Sequence, residues 1–282
     1  MEPCSNALLS EETMPPLLDH KNPSSPSVFR PDALLREARR QKRIAAIEVP
    51  AVCILDPDGD IVRRLRDANE ATSFAGWPCY HTTLDTFQLA NQTVGIVGCA
   101  VGASFAVLIA EELFASGCRF LVSVTSAGQI TPVGPTPYFV IIERALRDEG
   151  TSYHYLAPSD YSEADPNLVA MAASALRGNG LHAVVGSSWT TDAPFRETVE
   201  AIAAARARGI LAVEMEAAAL YAFAQCNQRR VLCLAHVTNT MAQTEQDFEK
   251  GEVGGAVDAL RILSVIISFS DSGSGLIDRA KR

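Results

Sequence analysis

Apolar positions alternate between two rhythms along most of this chain. Short apolar runs at 51–55, 94–99, 120–124, 138–142, 183–186, 211–213 and 231–237 have the length of buried strands. Stretches with helical spacing separate most of them, at 103–116, 166–177, 195–208, 214–227 and 255–268, with a shorter one from the 56–60 turn through Arg66. Within 103–116, Phe105, Leu108, Ile109 and Leu113 share one side, while Glu111 and Glu112 fall outside it. Strands alternating with helices predict βαβ units and right-handed crossovers. The expected fold is a single α/β domain, a mixed and mostly parallel sheet flanked by helices.

Ligands of open α/β sheets bind beyond the carboxyl ends of the strands. That rule selects residues 56–60, 98–102, 125–128, 187–197, 214–216 and 238–240 as segments that should converge.

The first thirty residues break the rhythm. Pro3, Pro15, Pro16, Pro23, Pro26 and a Ser-Ser-Pro-Ser stretch show no periodicity, which predicts a flexible arm over 1–30 or one lying across a neighbour. A short basic helix over 32–43 follows, opened by Pro31 and Asp32, and the α/β domain occupies 31–282.

Charge narrows the function classes. A net charge of −9 argues against a grip on nucleic-acid phosphates. No apolar run is long enough to span a membrane, and the acidic, polar start does not resemble a secretory signal. Seven cysteines without a C-x-x-C pair argue against a disulfide framework or a zinc site, and Cys53, Cys99 and Cys233 read as buried hydrophobes. The five scattered histidines lack metal-ligand spacing, and His236 reads as a hydrogen-bonded core residue. A cytoplasmic protein with no metal and no cofactor is expected.

Glu214-Met215-Glu216 opens a helix directly after a strand. Two acids flanking a methionine can hold a vicinal diol while the methionine packs on a sugar face, and an ordinary helix start also carries Glu there. Ser126 at a strand end can donate to an anion or a sugar, or satisfy the local backbone. The 98–102 turn is explained by tight strand-to-helix packing, and the acids Asp56, Asp58 and Asp60 by a turn without calcium spacing.

Taken in order, Val97-Gly98-Cys99-Ala100-Val101-Gly102-Ala103, Thr125-Ser126-Ala127-Gly128, Thr191-Asp192-Ala193-Pro194-Phe195-Arg196-Glu197 and Ala212-Val213-Glu214-Met215-Glu216-Ala217-Ala218-Ala219 resemble the nucleoside phosphorylase superfamily over roughly residues 46–270. The resemblance implies cleavage of the N-glycosidic bond of a small-molecule nucleoside through an oxocarbenium-like sugar. Glu216 then matches the residue that holds the ribose hydroxyls, Met215 packs under the sugar, and Glu214 is the neighbouring acid. Ser126 and Gly128 lie in the substrate-binding turn, and Phe195 falls where an aromatic stacks on the base. The resemblance also implies a homodimer or a ring of dimers.

Departures from the pattern shape the expected chemistry. Leu55-Asp56-Pro57-Asp58-Gly59 replaces a Gly-Asp-Pro-x-Arg turn, and Ser123 stands where a second phosphate arginine belongs. A phosphate dianion without guanidinium partners needs other donors. Asp60 matches the nucleosidases' water-activating glutamate and is the expected general base; the alternative role is a helix cap. Asn239 replaces the acid that protonates purines, and its amide suits a carbonyl-bearing base. Hydrolysis is therefore expected. The alternatives are phosphorolysis with phosphate as co-substrate, and a non-catalytic nucleoside-binding or storage protein.

Overall fold

The computed structural model describes residues 15–241 and 247–270. Ten strands form one sheet: β1 (Val52–Asp56), β2 (Ala71–Ser73), β3 (Asp85–Leu89), β4 (Gln92–Gly98), β5 (Phe120–Gln129), β6 (Tyr138–Asp148), β7 (Tyr161–Glu163), β8 (Val184–Thr191), β9 (Ala212–Glu214) and β10 (Arg230–Asn239). The helices are α1 (Pro31–Lys42), α2 (Asp60–Asp67), α3 (Ala103–Ala115), α4 (Pro166–Gly178), α5 (Val199–Ala207), α6 (Ala217–Asn227) and α7 (Ala256–Ser270).

The sheet runs β10-β6-β8-β9-β5-β1-β4-β3-β2, and β10 also pairs with β5. That second pairing closes β5, β10, β6, β8 and β9 into a ring, with β1 to β4 as a sheet continuing from β5. The mixed sheet is the one expected, with parallel pairs β1–β4, β1–β5, β5–β10, β6–β8 and β8–β9. Antiparallel pairs are as numerous, more than the alternation suggests. They come from short strands without a long apolar run, such as β2 and β7, and from the ring's need to close.

The apolar runs supply the core. Cys53, Ile54 and Leu55 of β1, Leu121 and Val122 of β5, and Leu232 and Leu234 of β10 are buried. Cys99 differs from the expectation: it is exposed, because the chain leaves the sheet at Gly98. Helices α1, α3 and α6 pack in one group, and α2, α4 and α7 in another.

Two helices start later than their spacing predicts. Residues Pro194–Arg196 form a 3₁₀ turn, and α5 begins only after Thr198, whose hydroxyl accepts the Ala201 N–H. Helix α6 begins after Glu216, because the Glu214 carboxylate takes up the amides at its start. From Pro15 to Arg30 the chain has no helix or strand, and it lies along its own α3 and α6, bordering a cavity of about 1070 Å³. The remainder of the 1–30 arm lies outside the described residues.

One buried hydroxyl pins α6 to the ring. Tyr221 Oη donates to Ile142 O on β6 at 2.6 Å and accepts the Cys233 N–H of β10 at 3.0 Å. Tyr221→Phe strands both backbone groups, which should cost about 1–3 kcal/mol. Urea denaturation should show a lower midpoint with an unchanged slope.

Candidate functional site

Strand ends bring most of the selected segments together. Asp58 Oδ2 accepts the Ser126 N–H at 2.7 Å, and Ser126 Oγ shares a hydrogen bond with Thr238 Oγ1 at 3.0 Å. The Gly102 N–H donates to Glu216 Oε1 at 2.7 Å. Ser188 Oγ and Thr190 Oγ1 both donate to Glu214. These bonds form two groups, one tying the ends of β1, β5 and β10 and the other tying those of β4, β8 and β9.

The two acids of the Glu-Met-Glu segment have different surroundings. Glu214 is wholly internal: besides the two hydroxyls it accepts the Glu216 and Ala217 N–H groups, both at 2.7 Å. Burial raises its pKa, and these four bonds to the charged form oppose the rise. Glu216 is 1 % exposed, and its Oε2 has no hydrogen-bond partner among the described residues. Burial, then the neighbouring Glu214 charge, pushes its pKa up to about 8. Met215 between them is half-buried.

Gly102 explains how Glu216 finds a donor. Its φ of +92° is open to glycine, and this turns its N–H toward the carboxylate. The 98–102 turn therefore does more than pack β4 against α3.

The turn after β1 places three acids at one small cavity. Asp56 is buried and its Oδ2 accepts the Val62 N–H at 2.9 Å, so Asp56, and not Asp60, supplies the side-chain cap of α2. Burial raises the Asp56 pKa to about 7 despite that bond. Asp60 lies between two cations, with Oδ1 2.5 Å from Arg63 Nη2 and Oδ2 2.6 Å from Lys250 Nζ. The cavity measures about 20 Å³, and its walls include all three acids, Thr125, Ser126 and His236. Thr125 Oγ1 donates to Ser126 O at 3.4 Å.

His236 stacks on Phe139 at 4.3 Å, and burial lowers its pKa to about 4. Gly255 permits the chain to pass beside it, because a Cβ there would fall 2.2 Å from His236 Cε1. Lys250, in the segment before α7, escaped the sequence reading. The Gly254-Gly255 pair, a mark of close backbone approach, was the available signal.

At the opposite wall, the β5–β10 register slips between Val237 and Asn239, so Asn239 pairs with Gly128. Asn239 Oδ1 accepts the Met241 N–H at 2.9 Å, and its Nδ2 donates to Thr238 Oγ1 at 3.2 Å. Phe195 is not brought to this wall; it is 98 % exposed. Among the described residues no His, Cys, Asp and Glu group is placed to hold a metal ion, and no helix is long and apolar enough to cross a membrane.

Residues 51–267 match the family model of the phosphorylase superfamily. A purine nucleoside phosphorylase DeoD-type from Exiguobacterium sibiricum is 28% identical over 158 residues, 55% of this chain and 67% of that protein. A Streptococcus uberis protein of the same name is 26% identical over 55% of this chain and 66% of its own length. Among solved structures, uridine phosphorylase from Vibrio fischeri superposes with a TM-score of 0.68 at 19% identity, over 80% of this chain and 95% of that one. Purine nucleoside phosphorylase from Toxoplasma gondii, in complex with immucillin-H, gives 0.67 at 15%, over 82% and 94%.

The Glu216 environment has a consequence for stability. With an ordinary value of 4.5 and a folded value of about 8, the folded state binds the extra proton between those pH values. Stability from this group is complete below pH 4.5 and falls as pH rises to about 8. Glu216→Gln, whose amide oxygen can keep the Gly102 bond, should unfold at a higher temperature than the parent at pH 8. The difference should shrink toward pH 5 in a calorimetric pH series.

Proposed function

The chain belongs to the phosphorylase superfamily, and from that premise we propose that it is an enzyme cleaving the N-glycosidic bond of a nucleoside or nucleoside-like molecule, with water as acceptor. The names of its relatives support the substrate class. The observation that carries the acceptor is the acidic lining of the small cavity after β1, where Asp56, Asp58 and Asp60 stand beside Ser126 and His236 and oppose a phosphate dianion. A water needs at least ~10–15 Å³ and two to four polar partners.

Glu216 is assigned to the sugar hydroxyls through its unpaired Oε2, with Met215 under the sugar face. As positive charge builds on the sugar, the ionised form of this buried carboxyl is favoured. The contact is therefore stronger in the transition state than in the ground state. Glu214 supports it by fixing the start of α6. Ser126, Gly128 and Asn239 complete the wall, where the Asn239 amide can pair with a carbonyl-bearing base. Exposed Phe195 has no part in this arrangement.

Among the turn acids, Asp56 is the one assigned to take the proton from water. Its pKa of about 7 suits proton transfer at neutral pH. The Asp60 oxygens are engaged by Arg63 and Lys250, so Asp60 orients the cavity.

Incubation with a nucleoside panel, with and without phosphate, tests the reading: free sugar should appear at a rate indifferent to phosphate. Obligatory phosphate, or binding without cleavage across the panel, would replace it. Glu216→Gln should lower turnover by ~10²–10³. Asp56→Asn, which keeps an oxygen for Val62, should lower it by at least ~10² and remove the limb near pH 7 from the rate profile. Asp60→Asn should cost less. The reverse ranking assigns the proton to Asp60.

A further inference from the structure

The turn at 56–60 inserts a carboxylate among groups suited to an oxyanion. Asp58 Oδ2 takes the Ser126 N–H at 2.7 Å, and its Oδ1 lies 3.6 Å from Lys250 Nζ. The Ser126–Thr238 hydroxyl pair adjoins that amide. Arg63 stands behind, joined to Asp60 at 2.5 Å. A backbone N–H, a hydroxyl pair and two cations are the donors that hold phosphate-like anions elsewhere. The Lys250 and Asp58 side chains are only 21% and 29% exposed, so the pair is committed to this place.

We infer that Asp58 is a tethered oxyanion filling an anion seat formed by Ser126 and Lys250, and that it thereby sets the acceptor. A free oxyanion such as inorganic phosphate is shut out by occupancy as well as by charge. Without Asp58, two acids still face the seat. Asp56 is near half-protonated at neutral pH, and Asp60 is paired twice, against the two cations Lys250 and Arg63. The remaining charge no longer opposes a dianion strongly. The catalytic consequence rests on the water-acceptor reading, whereas the seat can be tested without turnover.

The parent protein, Asp58→Ala and Asp58→Asn are titrated with inorganic phosphate at pH 7 by calorimetry and ³¹P NMR. Asp58→Ala should bind phosphate at least tenfold more tightly than the parent, and adding Lys250→Met should erase the gain. Asp58→Asn, whose amide oxygen can still accept the Ser126 N–H, should gain less than Asp58→Ala. Equal phosphate affinity in the parent and a folded Asp58→Ala overturns the inference, and so does a gain in Asp58→Asn as large as in Asp58→Ala. If circular dichroism shows Asp58→Ala unfolded, Asp58→Ser carries the same comparison. Turnover is read separately: Asp58→Ala with phosphate should release sugar 1-phosphate beside free sugar. Phosphate binding with no nucleoside cleaved by any form overturns the enzyme reading and leaves the seat standing. Cleavage by the parent together with no gain in phosphate binding by a folded Asp58→Ala does the reverse.

Discussion

The Glu214 carboxylate is the constraint on which the site depends. A buried charge is expensive unless its hydrogen bonds are complete. Here two hydroxyls of β8 and two amides at the start of α6 complete them. Thr190 extends the tie by accepting the Ala218 N–H at 2.9 Å. One side chain thus joins β8, β9 and α6 and fixes where the helix starts. Glu216, two residues on, is left facing Gly102 with one oxygen unpaired.

That arrangement trades stability for a poised group. Glu216 sits beside a like charge, out of water, with one backbone donor. Proteins tolerate such groups where the surroundings over-determine the backbone. Here Tyr221 locks α6 against β6 and β10, and the Glu214 bonds lock its start. The electrostatic tension falls on a carboxyl whose Oε2 has no partner among the described residues.

The acidic turn shows how three identical side chains within five residues acquire different chemistry from their surroundings. Asp56 caps α2 and is driven toward neutrality by burial. Asp58 binds the end of β5, and Asp60 is held by Arg63 and Lys250. Lys250 comes from the segment before α7, at the far end of the described chain. Its approach requires two glycines, Gly254 against Asp60 and Gly255 against His236. The cavity is therefore walled in part by Gly254, Gly255 and Ala256, remote in sequence from the turn that supplies its acids.

Hydrophobic rhythm alone determined the strand–helix alternation, because burying an apolar face imposes a period that the sequence must carry. The same rhythm located the strand ends, and with them Glu216, Ser126, Gly128 and Asn239. The strands β2, β3 and β7 lacked that signal: they are short or partly exposed, and pairing with their neighbours in the sheet holds them. Ring closure through β5 and β10 is likewise a property of pairing, which no local pattern records. The sequence identified Glu214 and Glu216 as a pair and Asp56, Asp58 and Asp60 as a cluster. Which member is buried, which caps a helix and which meets a cation was decided by the tertiary structure, because pKa and hydrogen bonding depend on neighbours in space. Phe195 and Lys250 mark the two sides of that limit. Pro194 and the Thr198 cap turn Phe195 out into solvent, and a double-glycine passage brings Lys250 in.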